Sequence, residues 1–135
     1  MRLAGVIIVS SDPDTQDMYV HGFRARRRPA YGTSGPDDTL ALARALRPSV
    51  IVVDVQEPRG WQVCWRCRRD PIAKEMPLVI VTGHVAADRR CRRLAARVGC
   101  AAFLMKPSRP ETVEDIVRRV ERGERGIELT TEALV

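Results

Sequence analysis

The residues best placed to do chemistry stand at the ends of short apolar runs. Asp54 follows Val50-Ile51-Val52-Val53, Thr82 follows the run from Pro77 to Val81, and Lys106 comes just after Ala101 to Leu104. Ser10, Ser11 and Asp12 close a fourth run, Leu3 to Val9. A carboxylate can attack a phosphoryl group and carry it. An ammonium and a hydroxyl can hold the phosphoryl oxygens as charge shifts between them. Brought into one crevice, Asp54, Thr82 and Lys106 would make a phosphoryl-transfer pocket. Singly, each has a plainer use: a strand-end Asp often caps a turn, a Thr before Gly often closes one, and a lone Lys is usually solvated. The chemical reading rests on all three ending strands of one sheet.

The rest of the sequence supplies that sheet. Leu3 to Val9 has the continuous apolar character of a buried parallel strand. Asp12-Pro13 is a cap followed by a residue suited to the first helical turn, and a helix carrying Met18, Tyr19 and Phe23 inward runs on to Arg26. Ala30 to Thr33 is a short strand candidate, and Asp38 to Leu46 reads as a helix that Pro48 stops. Val50 to Val53 is the clearest strand. Trp61 to Arg69 is helical, with Trp61, Cys64, and Cys67 or Val63 inward. Pro77 to Val81 is a strand, Ala86 to Val98 a very basic helix stopped by Gly99, and Ala101 to Leu104 a strand. Pro110 opens a helix with Val113, Ile116, Val117 and Val120 on one face. The pattern predicts an α/β fold, (βα)5, a doubly wound five-stranded parallel sheet with helices on both faces. In such sheets sites form outside the carboxyl ends of the strands. Residues 1–122 are expected to form the domain and 123–135 a short polar C-terminal tail.

Composition narrows the classes. The 135 residues suit one domain with a real core. No apolar run approaches the ~20 residues of a membrane span, and the short apolar opening lacks a signal-peptide cleavage site, so the expected compartment is the cytoplasm. Net charge is +6, and of 23 basic residues only Lys74 and Lys106 are lysines. Cys64 and Cys67 have C-x-x-C spacing, but Cys91 and Cys100 are too far apart to complete a zinc ribbon, and core packing explains the pair. Neither a G-x-G-x-x-G nor a P-loop occurs. The segment Asp17 to Gly22 faintly resembles a cobalamin signature with its His misplaced, so His21 reads as a surface residue and His84 as a solvated loop residue. No helix-turn-helix, zinc finger or stacking aromatics accompany the arginines, so direct nucleic-acid binding is not expected.

The stretches VIIVSSDPDTQDMY, RPSVIVVDVQEPRGWQV, PLVIVTG and VGCAAFLMKP together resemble the receiver domain of two-component response regulators, a flavodoxin-like fold, over about Val6 to Val120. The resemblance implies roles. Asp54 matches the phospho-acceptor, Thr82 and Lys106 the residues that contact the phosphoryl group, and Phe103 the aromatic that turns inward on activation. Gln56 sits where a backbone carbonyl reaches the metal, and Lys106-Pro107 matches a peptide bond usually cis in the family. It also implies a signalling domain rather than an enzyme. Its partner would be a sensor histidine kinase or a phosphotransfer protein, and no effector domain accompanies it, so it acts alone or as part of a larger protein.

One departure is decisive. Receivers normally end the first strand with two adjacent acidic residues that organise Mg²⁺, and here Ser10 and Ser11 stand there. Magnesium wants carboxylate oxygens, so binding should be weak, with Asp12 a candidate substitute ligand beside Asp54. Losing two negative charges should also strengthen pairing of Asp54 with Lys106. Two mechanisms stay open: a weakly metal-assisted phospho-acceptor, and a pseudo-receiver that acts through protein contacts whatever its phosphorylation state. The arginines between Arg89 and Arg97, with Arg118, Arg119 and Arg122, fall on the family's fourth-helix to fifth-helix output face. An acidic protein or a second copy of the chain is expected there.

Overall fold

The computed structural model describes residues 3–56, 58–83, 89–106 and 108–129. The strands are β1 (Val6–Val9), β2 (Ala30–Thr33), β3 (Val50–Val55), β4 (Leu78–Thr82), β5 (Ala102–Met105) and β6 (Ile127–Leu129). The helices are α1 (Pro13–Ala25), α2 (Pro36–Leu46), α3 (Pro58–Arg69), α4 (Arg89–Val98) and α5 (Pro110–Glu121). Four of these five helices open on proline, whose fixed φ suits the first turn and whose missing N–H would have had no helical partner. Arg47 ends α2 in the left-handed region, and Gly99 follows α4 at φ +65°.

All strand pairings are parallel, in the order β2-β1-β3-β4-β5-β6. β1, β3 and β4 are central and buried throughout, which is why they read as unbroken apolar runs. One face packs Val6, Ile8, Val52 and Val81 against Tyr19, Phe23, Val113 and Val117 of α1 and α5. The other packs Ile7, Ile51, Val53 and Ile80 against α2, α3 and α4. Cys64, Cys67 and Cys91 are buried in this second layer, as core packing requires, and burial pushes the Cys67 thiol up to about 11. The chain passes from β1 to β2 on one side and to β3 on the other, so the sheet's switch point lies between β1 and β3.

The structure corrects the strand count. The sheet has six strands, not five, because Ile127–Leu129, within the segment read as a polar tail, pairs in parallel with Ala102–Leu104. The edge of β5 leaves backbone groups that need partners, and a three-residue strand with Ile127 buried against the first layer supplies them. The remainder of that segment from residue 130, like His84 and the Lys106-Pro107 bond, lies outside the described residues. So does the start at Ala86 expected for the fourth helix, whose described part begins at Arg89.

Two polar devices tie the layers together. Arg28, fully buried, donates to Glu114 at 3.1 and 3.2 Å, to Glu121 at 2.7 and 2.8 Å and to the Ala4 carbonyl at 2.9 Å. It thereby joins the end of α1 to α5. Asp70 accepts from Arg44 Nε at 3.0 Å and from the amides of Ile72 and Ala73 at 3.0 and 2.9 Å. Arg44, then the Ala73 amide, hold its carboxyl down at about 2. A carboxylate with a depressed folded-state value stabilises above its unfolded value of ~4 and loses that contribution as pH falls through the folded value. Asp70→Asn is therefore expected to lower the urea midpoint at neutral pH, with the gap to wild type closing as pH falls from about 4 towards about 2. A gap unchanged across that window would remove Asp70 as an acid-sensitive tie.

Candidate functional site

Strand alternation sorts the residues at the carboxyl edge onto two sides. Ser10, Asp54 and Lys106 continue the series that faces α1 and α5. Thr82, opposite Val55, and Phe103, opposite Ile80, continue the series that faces α2 to α4. The first three meet. Ser10 Oγ donates to Asp54 Oδ2 at 2.8 Å, and Lys106 Nζ lies 2.8 Å from Asp54 Oδ1. This second contact is an ion pair, and Oδ1 accepts no hydrogen bond among the described residues. Asp54 is 6% exposed and Ser10 1%, so both contacts act in a poorly hydrated place where charge interactions are strong.

The backbone fixes these groups. The Lys106 amide donates to the Thr82 carbonyl at 2.7 Å and the Ser10 amide to the Thr33 carbonyl at 3.0 Å, so each is tied to a neighbouring strand end. Gly60 lets the first turn of α3 sit against the end of β3: a Cβ there would lie 2.9 Å from Val55 Cα and 3.2 Å from the Asp54 carbonyl. The Ser10 hydroxyl oxygen accepts from the Asp12 amide at 3.1 Å while its hydrogen goes to Asp54.

The other predicted residues are placed elsewhere. Ser11 and Gln56 are exposed. Asp12 caps α1, its carboxylate accepting from Thr15 Oγ1 at 2.6 Å and from the Asp14 amide at 3.3 Å. The Thr15 bond, ahead of the other causes, lowers the pKa of Asp12, and the charge of Lys106 acts in the same direction. Thr82 is buried with its hydroxyl on the Val55 carbonyl at 3.1 Å, and Cys91 Sγ lies 4.0 Å from the same oxygen. Phe103 is buried in the second layer with the Arg92 guanidinium 6.0 Å from its ring centre.

Tyr19 belongs to the site and was read from sequence only as core. Its hydroxyl donates to the Ser108 carbonyl at 2.8 Å, and Ser108 Oγ donates to the Met105 carbonyl at 2.7 Å, bracing the turn that carries Lys106. Burial, then the charge of Asp54, pushes the Tyr19 phenol up to about 12. No sequence signal separates it from a packing residue, because it has the inward spacing of one.

No family model matches the chain. Among curated proteins it is 35% identical over 77 residues to protein-glutamate methylesterase/protein-glutamine glutaminase 4 of Myxococcus xanthus, covering 56% of this chain and 21% of that one. It is 31% identical over 75 residues to response regulator Rre1 of Synechocystis, covering 54% and 32%. The chain thus spans a fifth to a third of these relatives. Among solved structures, chemotaxis protein CheY4 of Vibrio cholerae superposes with a TM-score of 0.78 at 24% identity, covering 87% of this chain and 98% of that one. The chain is a response-regulator receiver domain. The receiver's fold is that of CheY4 with a sixth strand, and Asp54, Thr82 and Lys106 lie at the carboxyl ends of β3, β4 and β5. No helix among its described residues is long and apolar enough to cross a membrane.

Proposed function

We propose that this receiver serves two-component signalling in the cytoplasm as an interaction module whose Asp54 pocket is closed on itself, without Mg²⁺. The observation that carries this is Ser10 donating to one Asp54 oxygen while Lys106 neutralises the other. The donor set does not fit a magnesium ion. Asp54 is the only carboxylate facing the crevice among the described residues. Asp12 is occupied as a helix cap, Ser11 is exposed, Gln56 would add only a neutral backbone carbonyl, and no three acidic, His or Cys side chains among the described residues gather around a common point. A hard dication needs several oxygen ligands, carboxylates above all. The domain is then a signalling element rather than an enzyme, recognised by a sensor histidine kinase or a phosphotransfer protein through its surface.

A second reading has its own support. Lys106 already sits on Asp54, and the Thr82 hydroxyl is one strand away, so Asp54 could accept a phosphoryl group slowly, with Thr82 and Lys106 contacting it and Phe103 as the switch aromatic. Intact-mass spectrometry after incubation with acetyl phosphate separates the two. The closed pocket is expected to give no adduct with or without Mg²⁺, in wild type as in Asp54→Ala. One added phosphoryl group that needs Mg²⁺ and Asp54 would establish the second reading instead.

A further inference from the structure

Of the arginines expected on the partner face, those of α4 and those of α5 differ in their surroundings. On α5, Arg118 is paired with Glu114 and Arg119 with Glu124, and β6 lies along the edge between α4 and α5. The densest run of arginines without acidic neighbours in the same helix lies on α3 and α4, which pack side by side on the other face of the sheet. α3 carries four arginines and α4 five, and neither helix contains an aspartate or glutamate. Arg66 pairs with Asp37 and Arg92 with Glu128. Arg68 is spent on backbone carbonyls, including those of Val98 and Gly99, and so clamps α3 to the end of α4. Arg59, Arg69, Arg89, Arg90, Arg93 and Arg97 are exposed and have no carboxylate partner among the described residues.

We propose that this α3–α4 face binds the phosphate backbone of nucleic acid, without reading sequence. Arg89, Arg93 and Arg97 recur every fourth residue, about 6 Å apart along the helix. That is close to twice the ~3.4 Å axial step between phosphates of one strand. Guanidinium suits phosphate through its planar donor fork and weak hydration. An acidic protein partner fits less well, because protein interfaces have cores poor in charge and rich in apolar anchors. Here the exposed large apolar residues among the described ones, Met18 and Tyr31, lie on α1 and β2. On the α2 side of α3, Pro36, Gln62, Trp65, Arg66 and Arg69 line a groove of about 360 Å³, where an unpaired base could stack beside cations.

The test is fluorescence anisotropy with a labelled duplex of mixed sequence and its single strand, across a salt series. Wild type is compared with the triple variant Arg89→Gln/Arg93→Gln/Arg97→Gln. A second triple variant, Arg119→Gln/Arg122→Gln/Arg125→Gln, removes equal charge from the α5 side. Circular dichroism checks that both are folded. The proposal expects salt-dependent binding that the first variant weakens at least tenfold, with a salt slope lower by about 3, one for each phosphate no longer engaged. The second variant should change affinity by less than threefold. Equal losses in both variants would reduce the effect to net charge and overturn the proposal, as would no binding of either strand form at low salt. Tighter binding of poly-glutamate than of DNA would overturn it in favour of an acidic protein partner.

Discussion

Carrying Ser10→Asp and Ser11→Asp together, the receiver is expected to gain Mg²⁺ affinity by about a hundredfold or more. At an effective dielectric near 20, a unit charge ~4 Å from a dication interacts by roughly 8 kcal/mol before desolvation. If desolvation removes most of that, ~3 kcal/mol still remains, about a hundredfold. The two positions will not contribute equally. Ser10 is buried against Asp54, whereas Ser11 is exposed, so Ser10→Asp alone should account for most of the gain. The same substitution sets two carboxylates side by side and deletes the hydrogen bond that Ser10 makes. Without metal the variant should therefore unfold at a lower temperature than wild type, and Mg²⁺ should recover the loss, since ligand binding to the folded state raises stability by mass action. Wild type should show no such response. Titration calorimetry and thermal unfolding with and without Mg²⁺ decide the matter. A double variant that binds no more tightly than wild type would mean that the serines do not limit the pocket.

Removing Arg28 is the other large effect. Its guanidinium is fully buried between Glu114, itself fully buried, and Glu121. Breaking a buried ion pair by deleting one partner typically costs ~3–5 kcal/mol, because the remaining charge is left in a poorly solvating place. Glu114 keeps Arg118 at 2.8 Å and Arg26 at 3.2 Å, so Arg28→Met should sit near the low end, ~3 kcal/mol, or roughly 10 °C in melting temperature. Adding Glu114→Leu removes the stranded charge, so the double variant should lose less than the two single losses combined. Urea unfolding of all four proteins measures this. A cost below ~1 kcal/mol for Arg28→Met, or strict additivity, would show that the cluster is not a working tie.

The strand ends were legible because a buried parallel strand must be apolar throughout, so its last residue is marked by the first polar one. That placed Asp54, Thr82 and Lys106 at strand ends, and the resemblance to receivers marked Ser10 and Ser11 as a departure. Which serine faces Asp54 was not legible, because adjacent strand residues point to opposite sides and the run alone does not say which side holds the site. Asp12 was open as a ligand until its bonds to Thr15 and Asp14 were seen. β6 escaped because Ile127-Glu128-Leu129 is too short to carry a period, and its partner is a backbone edge rather than a sequence pattern. The arginines were visible one by one, but their pairing was not, since Glu128 and Asp37 reach them from distant parts of the chain.

The sixth strand also decides towards which rim of the sheet the last described residues run. α5 returns the chain to the rim far from Asp54, where Glu121 meets Ser49 and Arg28. β6, parallel to β5 with Leu129 level with Leu104, carries it back again. Residue 129 is thus within two strand residues, ~7 Å of rise, of the level of Lys106. The end of α5 and residue 129 therefore stand towards opposite rims of the sheet, and a strand of three residues spans most of the distance between them.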